Sequence, residues 1–400
     1  MHNTVTASIA ACQADLETFL REIVAIPSPG GAEGPVIERI QREMHTLEYD
    51  EVRIDGMGNC IGRIGSGPRV LALDGHCDTV GSGDRAAWAK DPHSGVLEGG
   101  RIHGRGSVDQ KGGFAAAIYA GSVLKEIGLP DDVTLCVVAS VQEENFEGLN
   151  WQHLIETESL RPAVVILTEP SNMQIKTGHR GRMEMKLRVE GRSSHGSRPE
   201  RGENAIYTIM PVVREIEELN RSLAGPDPLG KGSIAVTDIH SSAPSLCAIP
   251  DSAEIHLDRR LTKGETAKSC LREIESLSAL KGRSYQLWVP EYRVKNYTGL
   301  TLDQKAYYPM WLLEDEDPLV KSAVTAYSQV FQADTPPGVW QFATNGVATK
   351  GLYGIPTIGF GPGDEAMAHA PDESIPVSEV LDAAAFYSAL ILDWGTFGRE

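Results

Sequence analysis

Three short apolar runs, at residues 70–73, 133–141 and 163–167, each empty abruptly into polar and acidic residues, and no other feature constrains the chain as much. Runs of this length bounded by turn residues read as buried strands. Around them lie stretches with helical apolar spacing, at 16–24, 34–47 (Ile37, Ile40 and Met44 on one face) and 114–127, and two more strands flank a turn at 56–59. Strands alternating with helices imply an α/β fold, a mostly parallel sheet with helices on both faces. In such a sheet, ligands bind outside the carboxyl ends of the strands. His76, Asp78, Glu143, Glu144 and Glu169 all fall there.

The pattern changes between about 179 and 289. Alternating strands at 184–189, 234–239, 253–257 and 285–289 surround helical stretches at 204–219 and 265–280. This βαββαβ order resembles a ferredoxin-like α+β sandwich. It reads as a domain inserted at 179–292 into a larger one made of 1–178 and 293–400. Beyond it the spacing predicts a helix at 318–331, a strand at 357–360 running into Gly361-Pro362-Gly363, and a final helix at 379–394 with Ser378 as its cap.

Charge and cysteine usage narrow the partners. The 55 acidic against 37 basic residues leave a formal charge of −18, a field that repels nucleic acid and anionic membranes. The six cysteines are scattered without a CxxC pair and read as reduced thiols. Asp15 and Glu17 interrupt the mildly apolar amino terminus, which lacks a basic leader region. No run approaches the roughly 20 apolar residues that span a bilayer. A cytoplasmic protein is expected.

The polar residues at the strand ends are those that divalent cations select. Zinc and similar ions take imidazole and carboxylate ligands, and a pair of ions needs a carboxylate to bridge them. His76 and Asp78 lie at i and i+2, so Asp78 can orient the His76 ring; a pair of loop caps is the plainer alternative. Asp109 sits in a glycine-dense turn, where an isolated aspartate is ordinarily a helix N-cap. The adjacent charges of Glu143 and Glu144 repel unless a cation or shared proton intervenes. Glu169 precedes Pro170, and His369 follows the Gly361-Pro362-Gly363 loop. Each is weak alone; together, nearly all at strand ends, they form a constellation that chance rarely supplies.

Over almost its whole length the chain resembles the zinc-dependent M20 metallopeptidases, a family that includes acetylornithine and succinyl-diaminopimelate deacylases, glutamate carboxypeptidase and aminoacylases. The resemblance is carried by GHCDTV, DPHSGVLEGGRIHGRGSVDQKGG, VQEEN, TEP, GRSSHGSRPERGENAI, DRRLTKGE and FGPGDEAMAHAPDES. Among members, it looks most like hydrolases of the YgeY type. The resemblance implies two Zn2+ per chain, with Co2+ or Mn2+ as substitutes. Asp109 would bridge them, His76 and Glu169 would complete one site, and Glu144 and His369 the other. Glu143 is left as general base toward a metal-bound hydroxide.

The inserted unit is then a lid and homodimerisation domain that brings His195 to the substrate, in dimeric relatives from the neighbouring subunit. Arg260 matches the family arginine that holds a substrate carboxylate, with a salt bridge to Asp258 or Glu265 as an equal alternative. Gly361 and Gly363 would shape the loop around the substrate's tail. Two departures touch the expected pocket: Cys247 stands where many relatives carry asparagine, and Asn345 where many carry aspartate.

The activity implied is cleavage of an amide bond in a small molecule, an N-acyl amino acid or short peptide with a free carboxylate. Hydrolysis of a ureido bond is the alternative within the same chemistry. A non-catalytic metal-binding, ligand-binding protein is the alternative outside it, disfavoured because all five ligands and Glu143 are present together. Phosphoesterase chemistry lacks a basic cluster for phosphate.

Overall fold

In the computed structural model, which describes residues 2–394, the strand Arg69–His76 is the axis of the larger sheet. It runs parallel to Val133–Ser140 on one side and to Val164–Leu167 on the other, and Thr357–Gly359 extends the parallel set beyond Val164–Leu167. Val133–Ser140 is buried at every position, as a strand covered on both faces must be. Its route back from Arg69–His76 is the helix Gly112–Ile127, whose alanine-rich surface is buried almost throughout. The flanks are antiparallel: Cys60–Ile64 pairs with Val133–Ser140, and Lys176–His179 with Thr357–Gly359. The sheet is therefore mixed, with a parallel centre.

Alternation along the central strands feeds two cores. Leu71, Leu73, Leu135, Val137, Val164 and Ile166 face the helices Gln13–Ala25, Gly112–Ile127 and Val377–Trp394. Ala72, Val138, Val165 and Leu167 face Trp151 and Leu154 of the helix Leu149–Glu156, together with Trp311 and Trp340. Among the described residues no helix is long and apolar enough to cross a membrane.

Two sequence expectations need correction. The first strand does not end at residue 73 but continues through Asp74 and Gly75 to His76, which lies opposite Ser140. A carboxylate is tolerated inside the sheet because Asn345 donates to Asp74 Oδ2 at 2.9 Å. The final helix starts at Val377, directly off the strand Ser374–Pro376, so Ser378 lies within its first turn and does not cap it.

The smaller sheet runs Ser233–Ser242, Ser252–Leu261, Gly181–Glu190, Tyr285–Trp288, antiparallel throughout. Gly181–Glu190 alternates buried and half-buried positions, and its buried face packs with the helices Ala205–Ser222 and Ala267–Glu275 in a core of its own. Tyr307–Tyr308 returns to pair with Arg182 and Met183.

Candidate metal centre and cleft

The four parallel strands end on one edge of the sheet, and the residues just beyond them converge there. Asp109 lies between two imidazoles: its Oδ1 is 3.0 Å from His76 Nε2 and its Oδ2 is 3.2 Å from His369 Nε2. Glu144 Oε2 is 3.0 Å from the same His369 nitrogen. On the other side, Glu143 Oε2 and Glu169 Oε2 lie 3.8 and 3.9 Å from His76 Nε2. Asp109 is no N-cap, since the helix begins three residues later at Gly112.

Asp78 acts differently from its expected role. The His76 ring is held through Nδ1 by the Asp78 main-chain carbonyl at 2.8 Å, while the carboxylate stays 3.7 Å away. That carboxylate accepts from the backbone N–H groups of Glu143 and Glu144, at 3.1 and 3.0 Å, and so fixes the loop that presents both acids. Burial pushes the Asp78 carboxyl up to about 7, against the pull of His76.

Crowded acids dominate the electrostatics. Burial, opposed by His76 and reinforced by Glu169, Glu147 and Glu144, raises the Glu143 pKa well above the carboxylate range. Burial also raises Glu169, with His76 opposing and Asp109 and Glu144 adding to the rise. For His76, burial disfavours the charged ring, but Glu169, Asp109 and Glu143 outweigh it and hold its pKa well above normal. Hydrogen bonds to Asp109 and Glu144 take His369 to about 10. Cations held here would relieve these like charges at close range. The donors are oxygen and imidazole nitrogen without thiolate, a set that suits zinc, cobalt or manganese. Glu143 Oε1 is buried with no hydrogen-bond partner among the described residues, an acceptor facing its reactive surroundings unengaged. The residues present fit a pair of divalent ions.

These side chains open onto a cleft of about 430 Å3, which also takes Glu147, Arg182, Phe342 and Arg260 into its wall. Arg260 lines the cleft and pairs with Asp258 at 2.9 Å. Asn345 is a correction. It is 1% exposed, donates to Asp74 and Ser140 and accepts from the Gly148 N–H, so its amide ties three segments together and has no part in the cleft. Gly361 and Gly363 are also behind the wall. A Cβ at Gly361 would stand 2.3 Å from the Glu169 carbonyl oxygen, so this glycine lets its loop lie against the backbone that carries Glu169, while Gly363, at φ +95°, takes a left-handed turn packed on the Val108 side chain.

His195 is exposed in the smaller unit and is not among the residues lining its own chain's cleft. Sequence reasoning missed Glu147 and Arg182, which pair at 3.0 Å across the mouth. Glu147 shares the loop of Glu143, which was a usable signal; nothing near Arg182 marks it. A further group of possible ligands, Asp55, His153 and Glu158, gathers at the turn after Glu51–Ile54. There Asp55 already accepts three hydrogen bonds from Gly58 and Asn59 of its own turn, and Glu158 pairs with Arg53 at 2.6 Å.

Comparison with known proteins agrees with this geometry. Residues 72–393 match the model of Peptidase family M20/M25/M40. The chain is 44% identical to YgeY of Escherichia coli (strain K12) over 382 residues, 96% of this chain and 95% of that one. It is 26% identical to succinyl-diaminopimelate desuccinylase of Rhodospirillum centenum, over 94% of this chain and 96% of that one. In structure it is similar to YxeP of Bacillus subtilis, a dinuclear metal-binding peptidase of family M20, with a TM-score of 0.70, 12% identity, and coverage of 96% of this chain and 98% of that one. With its acid-and-imidazole centre at the strand ends, the chain belongs to peptidase family M20/M25/M40 and is a metallohydrolase of amide bonds.

Proposed function

We propose that the chain holds two divalent cations, zinc or in its place cobalt or manganese, and cleaves the amide bond of an N-acyl amino acid or short peptide with a free carboxylate. His76, Asp109 and Glu169 would hold one ion, and Asp109, Glu144 and His369 the other. The observation that carries this reading is Asp109, whose two oxygens each face a different imidazole. The dinuclear centre of the Bacillus subtilis relative supports it. When bound, the ions would supply Lewis acidity that polarises a carbonyl and acidifies a water. Glu143, buried and avid for a proton, takes the proton of the attacking water and returns it to the leaving nitrogen.

Arg260 is the cleft cation free to meet a carboxylate. Arg182 is committed to Glu147 at 3.0 Å and Glu184 at 3.5 Å, whereas Arg260 is 42% exposed and holds only Asp258 among the described residues. Zinc- or cobalt-loaded protein incubated with N-acyl amino acids, dipeptides, ureido acids and their carboxamide-capped analogues is expected to release amine from the free acids. In Arg260→Ala, KM for a free acid is expected to rise roughly 10- to 100-fold with kcat little changed, as loss of a charged hydrogen bond predicts. The capped analogue is indifferent to the change. Turnover of no amide in the panel sinks the activity; equal losses on free and capped substrates leave Arg260 a strand-edge ion pair.

The smaller unit is read as a lid and dimerisation domain. Its outer strand Ser233–Ser242 is an edge with most positions exposed, including Ile239 at 49%, and Tyr207 and Met210 of the helix Ala205–Ser222 are 77% and 43% exposed. An unpaired edge flanked by apolar side chains favours pairing with a second copy. His195 Nδ1 is engaged by Ser197, through its N–H at 3.1 Å and its hydroxyl at 2.8 Å, which leaves Nε2 as the nitrogen free to reach a developing oxyanion. We therefore place His195 of the partner subunit over each cleft. Mixing inactive Glu143→Ala and His195→Ala proteins tests this. Random exchange makes about half the dimers mixed, each with one complete site of two, so roughly a quarter of wild-type activity is expected. No recovery despite verified exchange refutes sharing. The six cysteines are free thiols, which supports a reducing, cytoplasmic setting.

A further inference from the structure

Asp109 and His369 reach the centre on separate loops, and one buried ion pair joins those loops. Glu373 is 0% exposed and Arg105 3%. Four donors from the Asp109 loop converge on the Glu373 carboxylate. Oε1 accepts from the Val108 N–H at 2.7 Å and the Asp109 N–H at 3.0 Å; Oε2 accepts from the Gly106 N–H at 3.0 Å and Arg105 Nη1 at 2.7 Å. The second arm of Arg105 donates to the main-chain carbonyl of His369 at 3.2 Å. Behind them, Arg101–His103, which leads into the first loop, pairs antiparallel with Ser374–Pro376, which leads out of the second.

We infer that Glu373 and Arg105 are positioning residues that set the affinity of the centre by fixing the distance between Asp109 and His369. This rests on the two-cation reading above. Neither side chain is a ligand in that reading, and each acts only through backbone. A buried pair of this kind adds little stability compared with apolar residues of the same size, so placement of its neighbours is what its geometry provides. The pair reaches the two halves of the centre unequally. Glu373 holds the backbone of Asp109, which both ions would share, while Arg105 is the member of the pair that bonds the main chain of His369 itself.

The unequal reach gives the test. In Glu373→Gln one carboxylate oxygen becomes an amide donor facing two N–H donors, so the loop loses at least half of its support. Zn2+ alone, titrated in competition with a chelator, is expected to bind the folded variant about 10–100-fold more weakly at both sites. In Arg105→Lys the charge stays but the fork is lost, so only one of the two ions is expected to weaken and the other to keep wild-type affinity. Circular dichroism and thermal melting report folding separately. Two folded variants that bind both ions as tightly as the wild type overturn the inference. If Glu373→Gln does not fold, Arg105→Lys decides alone, and wild-type affinity at both of its sites overturns the inference. Wild-type protein that binds fewer than two Zn2+ overturns the two-cation reading and this inference together, an outcome distinct from a failure confined to the variants.

Discussion

Glu143→Gln is expected to lose about 100- to 10,000-fold in kcat while keeping both metal ions, the range that a positioned proton carrier contributes. The substitution keeps the size of the side chain and removes its ability to take a proton. Glu143 is 5% exposed, its Oε1 has no hydrogen-bond partner among the described residues, and its Oε2 lies 3.8 Å from His76, about as far as Glu169 Oε2 at 3.9 Å. What marks Glu143 as the proton carrier is the buried Oε1 left unengaged, not its distance from the imidazole. Its neighbour Glu144 closes the centre, 3.0 Å from His369, so Glu144→Gln is expected to lose metal instead. Elemental analysis of both variants after dialysis, paired with turnover of the best substrate, separates the two roles. Metal loss in Glu143→Gln with both ions kept in Glu144→Gln reverses the assignment.

Asp109→Ala is expected to retain fewer than two ions and to lose zinc affinity by more than the roughly 100-fold that marks the loss of a mere supporting contact. The reason is that one side chain serves two imidazoles: removing it takes an oxygen from the His76 side and another from the His369 side in one step. A ligand present at about 100 times its Kd stabilises the fold by about 2.7 kcal/mol. Zinc is therefore expected to raise the melting temperature of the wild type and to leave that of Asp109→Ala nearly unmoved. Two tightly held ions in this variant would show that Asp109 is not shared.

Much of the site was legible because its chemistry sits where local pattern changes. Apolar runs ending in Glu143-Glu144 and in Glu169 mark strand ends, and strand ends mark the binding edge of a parallel sheet. The βαββαβ order of the smaller unit followed from periodicity as well, and its sheet has the pairing of that sandwich. What was misread is instructive. Asp74 looked like the end of a strand because nothing within its own segment pays the cost of burying a carboxylate. Asn345 was expected in the substrate pocket because many members of the family carry aspartate there, yet its amide is spent on Asp74 and Ser140.

The sequence by itself determined which residue types the centre contains and that they gather at one edge, because alternation and helical spacing are local properties of a chain. Only the tertiary structure decided who faces whom. His369 meets Glu144 across 225 residues, Asn345 meets Asp74 across 271, and Glu373 holds the Asp109 backbone across 264. Asp78 turned out to hold the Glu143-Glu144 backbone with its carboxylate and the His76 ring with its carbonyl. Buried polar groups must find partners wherever the fold brings them, and hydrogen-bond geometry at about 3 Å is set by how whole layers pack rather than by any pattern a single segment can carry.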